Sequence, residues 1–331
     1  MTNCDNVLFS MVSYRRNIKD MLFVNKLSDM ELAISITRSL SDMFGENFEF
    51  KSLKNISLKN CMRLEEDGIL TKEMIENKDI SAFGLGYDNV CKILVNEEDH
   101  IRLVAKAQGL CLEEMFEKAN EMDDVVLDKL EMAFDSEIGY LTANPNLFGT
   151  GLEVLCGMFL PALVFGGKFL KIMTEIKKGE YQVLGLDGGE WNKKSPFVII
   201  KNKYTFGKKE NEIAQDLQEL VNKLISLEKN EENSQFDLSA STLADSIFRG
   251  FGVMSSAYRM AFDEAEELVG KVLWGVLLKI LVLKQRIDFL ELLNKIKENN
   301  LSAGNIKETE KQRAKILRES SSKIFRAELD L

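Results

Sequence analysis

Beyond about Glu210, apolar positions recur three and four residues apart through Ile213 to Leu227, Thr242 to Met260, Ala265 to Leu283, Phe289 to Ile296 and Thr309 to Arg318. That period predicts long amphipathic helices and no strands. Before it the texture differs. Gly139 to Thr142, Leu152 to Leu160, Tyr181 to Leu186 and Phe197 to Ile200 are short apolar segments separated by Gly, Asn, Pro and Lys clusters, the pattern of antiparallel strands. Val90 to Val95 and Ile101 to Ala105 are rich in β-formers and flank an acidic run, while Leu112 to Ala133 has helical spacing with a break expected near Asp123-Asp124. Ser28-Asp29-Met30-Glu31 has the capping-box pattern ahead of Leu32, Ile34, Ile36 and Leu40, which predicts a further helix. The polar stretch Asn230 to Asp237 is turn-prone. The expected fold is therefore α+β: an antiparallel-sheet domain flanked by helices over residues 1–232, then a small all-helical domain over 233–331.

Composition narrows the function classes. A chain of 331 residues, 45% hydrophobic, is long enough for one large or two ordinary cores. Its formal net charge of -10 argues against nucleic-acid binding, which needs clustered Lys and Arg. The most apolar stretches, Leu152 to Phe165 and Val272 to Leu283, fall short of the roughly 20 residues that span a bilayer, so no membrane segment is expected. Cys4, Cys61, Cys91, Cys111 and Cys156 form no CxxC pair, and the N-terminal stretch lacks signal-peptide order. The expectation is a reduced cytoplasmic protein with no metal site, its mature chain starting near Met1. Only Pro145, Pro161 and Pro196 interrupt it, which suits long regular elements.

The acidic run Asn96-Glu97-Glu98-Asp99-His100-Ile101-Arg102 carries the candidate chemistry. With Val95 to Arg102 taken as one extended strand, Glu98 and Arg102 share a face about 13 Å apart. One end is acidic, the other cationic. That polarity suits phosphoryl transfer to a guanidinium: the acceptor becomes nucleophilic only when a carboxylate takes its proton, and arginines on the donor side stabilise the transferring charge. From these residues alone, a solvated acidic turn is the favoured reading of the run. Downstream, Gly139-Tyr140-Leu141-Thr142 leads to Pro145-Asn146-Leu147-Phe148-Gly149-Thr150-Gly151-Leu152.

With these stretches, and with Asn120-x-x-Asp123-Asp124, Leu160-Pro161-Ala162-Leu163, Asn202-x-x-Thr205-x-Gly207 and Phe248-Arg249-Gly250-x-Gly252, the chain resembles the ATP:guanido phosphotransferase family over nearly its whole length. It is most similar to the bacterial protein-arginine kinases, because small-molecule phosphagen kinases carry a helical domain ahead of the catalytic one and only a few residues precede Ser13 here. The resemblance implies a guanido kinase catalytic domain, with Glu98 as base, Glu97 assisting at the guanidinium, and Arg15 and Arg102 contacting ATP phosphate. ATP and Mg²⁺ would be the cofactors of an active enzyme, and an impaired one would need none.

The family pattern breaks on the donor side. Its Ser-x-Arg-x-Arg motif aligns with Ser13 to Asn17, so its second arginine is Asn17; the arginine ending Gly-Thr-Gly-Leu-Arg is Glu153; a third phosphate arginine is Leu184. The acidic substrate loop aligns with Gly188-Gly189-Glu190-Trp191-Asn192, which loses both acidic positions in register, and Glu190 substitutes only if the loop shifts. The family cysteine before proline falls at Ala143 or Asn144. An arginine at a transferring phosphoryl is worth about 10³ to 10⁵ in rate; Lys168, Lys193 or Lys201 are the candidates for partial compensation, and a Mg²⁺ beside Glu153 for metal rescue. The leading expectation is a pseudokinase scaffold, with an active protein-arginine kinase and a kinase for a small guanidine as alternatives. By resemblance, partners would be protein clients or an adaptor of the Clp protease system, with self-association through the C-terminal helices, where Leu273, Trp274, Val276 and Leu277 form either an interface stripe or a buried face.

Blander roles are expected elsewhere. His100 is read as structural, Met30, Met43, Met115, Met122 and Met132 as core fillers, and Lys177-Lys178 and Lys208-Lys209 as exposed turns.

Overall fold

Val7–Arg16 forms β1, a ten-residue strand whose last five side chains are all buried. A sheet grows on both its edges. The computed structural model describes residues 6–27, 29–301 and 305–327; Ser28 and Cys4 lie outside them. After β1 come α1 (Met30–Phe44), β2 (Phe48–Ser52), α2 (Leu58–Glu66), α3 (Lys72–Glu76), β3 (Ala82–Gly86), β4 (Cys91–Val95), β5 (Ile101–Gln108) and α4 (Leu112–Leu127). A two-residue pair, β6 (Phe134–Asp135) and β7 (Gly139–Tyr140), precedes β8 (Leu152–Phe159), α5 (Pro161–Phe165), α6 (Phe169–Lys178), β9 (Tyr181–Leu184) and β10 (Phe197–Asn202). The remainder is α7 (Glu210–Ser256), α8 (Phe262–Leu277), β11 (Leu281–Leu283), α9 (Phe289–Lys295), α10 (Ile306–Ser321) and β12 (Ile324–Arg326).

Eight strands form one sheet in the order β2-β3-β4-β5-β1-β8-β10-β9. β1 is antiparallel to both neighbours, pairing Arg15 with Arg102 on one side and Ser13 with Glu153 on the other. The α+β class expected from the pattern is the class observed. The chain divides into two compact units: residues 1–158, 176–184 and 199–222, and residues 159–175, 185–198 and 223–331. No helix among the described residues is long and apolar enough to cross a membrane.

In the first unit, α4 packs on β1 and β5 through Met115, Ala119, Met122 and Val126, each buried apolar side chain contributing about 1.5–3 kcal/mol. It runs through Asp123-Asp124 without the expected break, because Asp123 has a buried partner described below. α1 begins at Met30 and is capped by Asp29, whose carboxylate accepts from the Glu31 and Leu32 amides at 3.0 Å. Met30 is exposed rather than a core filler, whereas Met115, Met122 and Met132 are buried. Lys208, expected as a bare exposed turn, bonds Asp216 at 2.6 Å and also Glu180.

In the second unit the predicted turn at Asn230 to Asp237 is absent: α7 continues across it. The polar side chains there have work to do within the helix. Glu228 accepts from the Ala162 and Leu163 amides (2.6 and 2.9 Å), satisfying the otherwise orphaned donors at the start of α5. Gln235 donates to the Ala162 carbonyl at 2.9 Å, and Glu232 accepts from the Trp274 indole at 2.9 Å. Trp274 and Leu273 are buried, Trp274 against Phe165, so this part of the stripe is core. Leu281 to Leu283, expected to be helical, instead pairs with Ile324 to Arg326 as a small ribbon; Leu281, Val282 and Leu283 are a short apolar run with one β-branched member, which suits a strand as well as a helix.

Candidate active site

Asn96 to His100 is not an extended strand. β4 and β5 form a hairpin, with Val95 opposite Ile101, and the acidic run is its connecting turn. Asn96 takes φ +54°, a left-handed conformation asparagine tolerates, and its amide donates to the His100 carbonyl at 2.9 Å. Its side chain donates to the Ala33 and Ile80 carbonyls (3.1 and 2.8 Å), while Ser81 and Asn77 donate to the Asn96 and Glu97 carbonyls. The turn is thus tied to α1 and to the segment before β3. Its three carboxylates therefore fan out from one tight loop, and Glu98 and Arg102 do not share a strand face.

Arg15 and Arg102 lie opposite each other on neighbouring strands, a repulsive placement unless an anion intervenes. Glu97 intervenes: one carboxylate oxygen lies 2.9 Å from Arg15 and the other 2.9 Å from Arg102. Arg15 also meets Glu98 at 3.3 Å and Asp99 at 3.4 Å. On the far side of β1, Glu153 accepts from Arg102 at 2.7 Å through Oε1 and from Lys201, on β10, at 2.5 Å through Oε2. Glu97 and Glu153 are 2% and 3% exposed. Burial pushes each of these carboxyls up, but the surrounding cations outweigh it and hold both below the usual range: Arg102 and Arg15 for Glu97, Arg102, Lys201 and Arg15 for Glu153. Glu98 differs. Its side chain keeps 44% of its surface, and burial raises its carboxyl although Arg15 opposes the shift.

Asn17 is buried beneath the turn; its side chain donates to Asp99 (2.5 Å) and the Leu141 carbonyl (3.0 Å) and accepts from the His100 amide (3.0 Å). Asp99 also accepts from the Ala143 amide at 2.6 Å. His100 is structural as expected: Nδ1 accepts from the Ile18 amide and Nε2 donates to the Leu22 carbonyl, and burial lowers its basicity. Leu184 ends β9, at the sheet edge, opposite Ile199. Gly188, Gly189 and exposed Glu190 belong to the second unit, in a turn closed by the Gly185 amide on the Gly189 carbonyl. Next to it, Trp191 is buried against Phe169 and donates to the Ser195 carbonyl. Of the candidate compensating lysines, Lys201 joins the cluster, Lys168 pairs with Glu231 in the second unit, and Lys193 is exposed.

Sequence reasoning missed Arg16. Alternation along β1 sends Arg15 towards the acidic turn and Arg16 to the opposite face, where its guanidinium lies over Tyr140 (3.9 Å) and Tyr14 (4.8 Å) and bonds Asp123 at 2.6 Å. Tyr14 donates to Asn120 at 2.5 Å. Asn120 and Asp123, one helical turn apart on α4, were the available signal for this pairing.

Taken together, the site places a half-exposed carboxylate beside a row of cations, the raw arrangement for moving a phosphoryl group onto a guanidinium. Yet each cation is already bonded to a carboxylate of the same chain.

Comparison with known proteins agrees with the arrangement. The family described as ATP:guanido phosphotransferase, C-terminal catalytic domain, matches residues 31–231. A protein-arginine kinase of Clostridium acetobutylicum is 33% identical over 309 residues, spanning 88% of this chain and 91% of that protein. One from Clostridium novyi is 31% identical over 334 residues, covering 98% and 94%. Among solved structures, a lombricine kinase superposes with a TM-score of 0.60 at 20% identity, covering 69% of this chain and 68% of the other, which bears on the fold alone.

Proposed function

The chain belongs to the ATP:guanido phosphotransferase family, and from that membership we propose that it is a protein-arginine-kinase-like protein impaired in phosphoryl transfer, acting by binding a protein partner. The observation carrying this reading is the internal neutralisation of the donor side. Glu153 spends both oxygens on Arg102 and Lys201, and Glu97 spends both on Arg15 and Arg102. A triphosphate needs those cations unspent, with their N–H groups directed at it. These residues do not fit the phosphates of ATP. Nor does Glu153 suit a Mg²⁺ bridge, since both its oxygens already accept from cations.

The acceptor side is better preserved. Glu98 remains half exposed, with a carboxyl raised by burial, and a carboxylate grips a guanidinium fork in bidentate fashion. We place the guanido kinase-like domain at 1–232 and a helical domain at 233–331, with a protein client or an adaptor of the Clp protease system as partner, self-association through the C-terminal helices, and a cytoplasmic setting. The same state of Glu98 favours a second reading, an active protein-arginine kinase with Glu98 as base and Mg-ATP as donor. Incubation with Mg-ATP and an arginine-rich protein, followed by detection of acid-labile phosphoarginine, decides between them. No phosphoarginine above a no-enzyme control is expected; sustained formation overturns the first reading in favour of the second.

A further inference from the structure

Glu153 lies where cations from two flanking strands converge. Arg102 reaches it from β5, across β1, and Lys201 from β10, one to each oxygen, at 2.7 and 2.5 Å. Arg102 also donates weakly to the Ser13 hydroxyl at 3.5 Å, directly opposite Glu153 in the register. A carboxylate bonded at both oxygens by separate cations presents the face that a phosphate oxyanion would present to the same donors. Glu98 and Asp99 meet Arg15 alone among the cations, so at the other end of the cluster two cations, Arg102 and Lys201, face two buried carboxylates, Glu97 and Glu153. Without Glu153 that end carries one excess positive charge. Arg102 and Lys201 retain some exposed side-chain surface, 12% and 22%, so solvent reaches both side chains.

We propose that Glu153 is a built-in counter-anion that fills an oxyanion site formed by Arg102, Lys201 and Ser13, so that cutting back this one side chain opens the site to a free inorganic oxyanion. The inference rests on the impaired-donor reading and supplies its cause: the cations persist, held closed by the chain's own carboxylate. Burying an ion pair is costly and removing one partner strands the other charge; a soluble anion recovers that loss in the variant only.

The test uses inorganic pyrophosphate at constant ionic strength, titrated by calorimetry and by thermal shift into the full chain and into Glu153→Ala and Glu153→Gln. Glu153→Ala is expected to bind at least about tenfold more tightly than the parent, a difference of about 1.4 kcal/mol, and its melting temperature to rise with pyrophosphate where the parent's does not. Glu153→Gln, closer in shape, guards against a fold defect and should gain less. Adding Lys201→Ala to Glu153→Ala should abolish the gain. Equal affinities in parent and both variants, or a gain indifferent to Lys201, overturn the proposal. The parent is assayed alongside for phosphoarginine: turnover with Glu153 intact defeats the impaired-donor reading itself, whereas a silent parent with no pyrophosphate gain in the variants defeats only the counter-anion.

Discussion

Glu97 and Glu98 are adjacent and both acidic, yet their replacement by glutamine should have unlike consequences. Glu97 is 2% exposed and bonds two arginines at 2.9 Å each. A glutamine keeps the shape but offers one acceptor oxygen and turns an amide N–H₂ towards the other guanidinium. Breaking a buried ion pair by removing one partner costs about 3–5 kcal/mol. Glu98 has 44% of its side chain exposed and meets Arg15 at 3.3 Å, a pairing worth roughly 0–1 kcal/mol. Urea unfolding at pH 7 measures both. Trp191 and Trp274 are the chain's two tryptophans and both lie in the second unit, so indole fluorescence follows the wrong body; hydrogen exchange of the β5 amides reads the sheet. The contrast also depends on pH. Because the Glu97 carboxyl is held below its usual 4.5, its stabilisation is present above 4.5 and lost as pH falls through the depressed native value. The gap between parent and Glu97→Gln should accordingly close in acid. A Glu97→Gln variant within about 1 kcal/mol of Glu98→Gln at pH 7 would refute the assignment of Glu97 as the anion holding the two arginines apart.

Three further outcomes follow. Arg16→Leu should destabilise the first unit by about 3–5 kcal/mol, since it strands Asp123 and empties the space between Tyr14 and Tyr140; exchange protection of α4 and β1 checks it. In the second unit, burial pushes the Glu228 carboxyl up to about 8 despite its two backbone donors, and that of Glu266 up to about 7. Native pKa values raised above the unfolded 4.5 mean the folded state binds more protons, so stability falls as pH rises from 4.5 through 7 and 8, by up to about 1.4 kcal/mol per pH unit for each group. Tryptophan-monitored urea melts from pH 5 to 9 should show this decline, with a shallower slope in Glu266→Gln. Gly139→Ala should cost on the order of 1–3 kcal/mol, because φ is +94° there and a Cβ would lie 2.6 Å from the Gly149 carbonyl oxygen; a lowered melting temperature without change in secondary structure is the expected signature.

The sequence was most legible where one periodicity held for a whole element. α10 and α4 are amphipathic over four turns or more, and β8 and β10 are apolar runs bounded by turn residues, so their pattern alone located them. It misled where charge was buried. β1 ends in Ser-Tyr-Arg-Arg, which looks like a surface, and only the carboxylates arriving from β8, α4 and the β4–β5 turn make Arg15 and Arg16 tolerable inside. Glu98 and Arg102 fit a two-residue period, but the left-handed Asn96 ends the strand before that period begins. The polar stretch of α7 failed for a related reason: Glu228, Glu232 and Gln235 bond groups distant in sequence. Charge reversal at Glu153 was visible from alignment with the family motif. Its two cationic partners were not, because Lys201 comes from another strand and no local spacing announces the pairing.

With Arg15, Arg102 and Lys201 each bonded to a carboxylate of the chain, the donor side of this site should not accept nucleotide phosphate. Calorimetric titration of Mg-ATP into the intact chain tests it most directly. No saturable heat is expected into the millimolar range, where affinity would amount to about 4 kcal/mol or less; saturable micromolar binding of Mg-ATP with Glu153 in place would contradict a closed donor side.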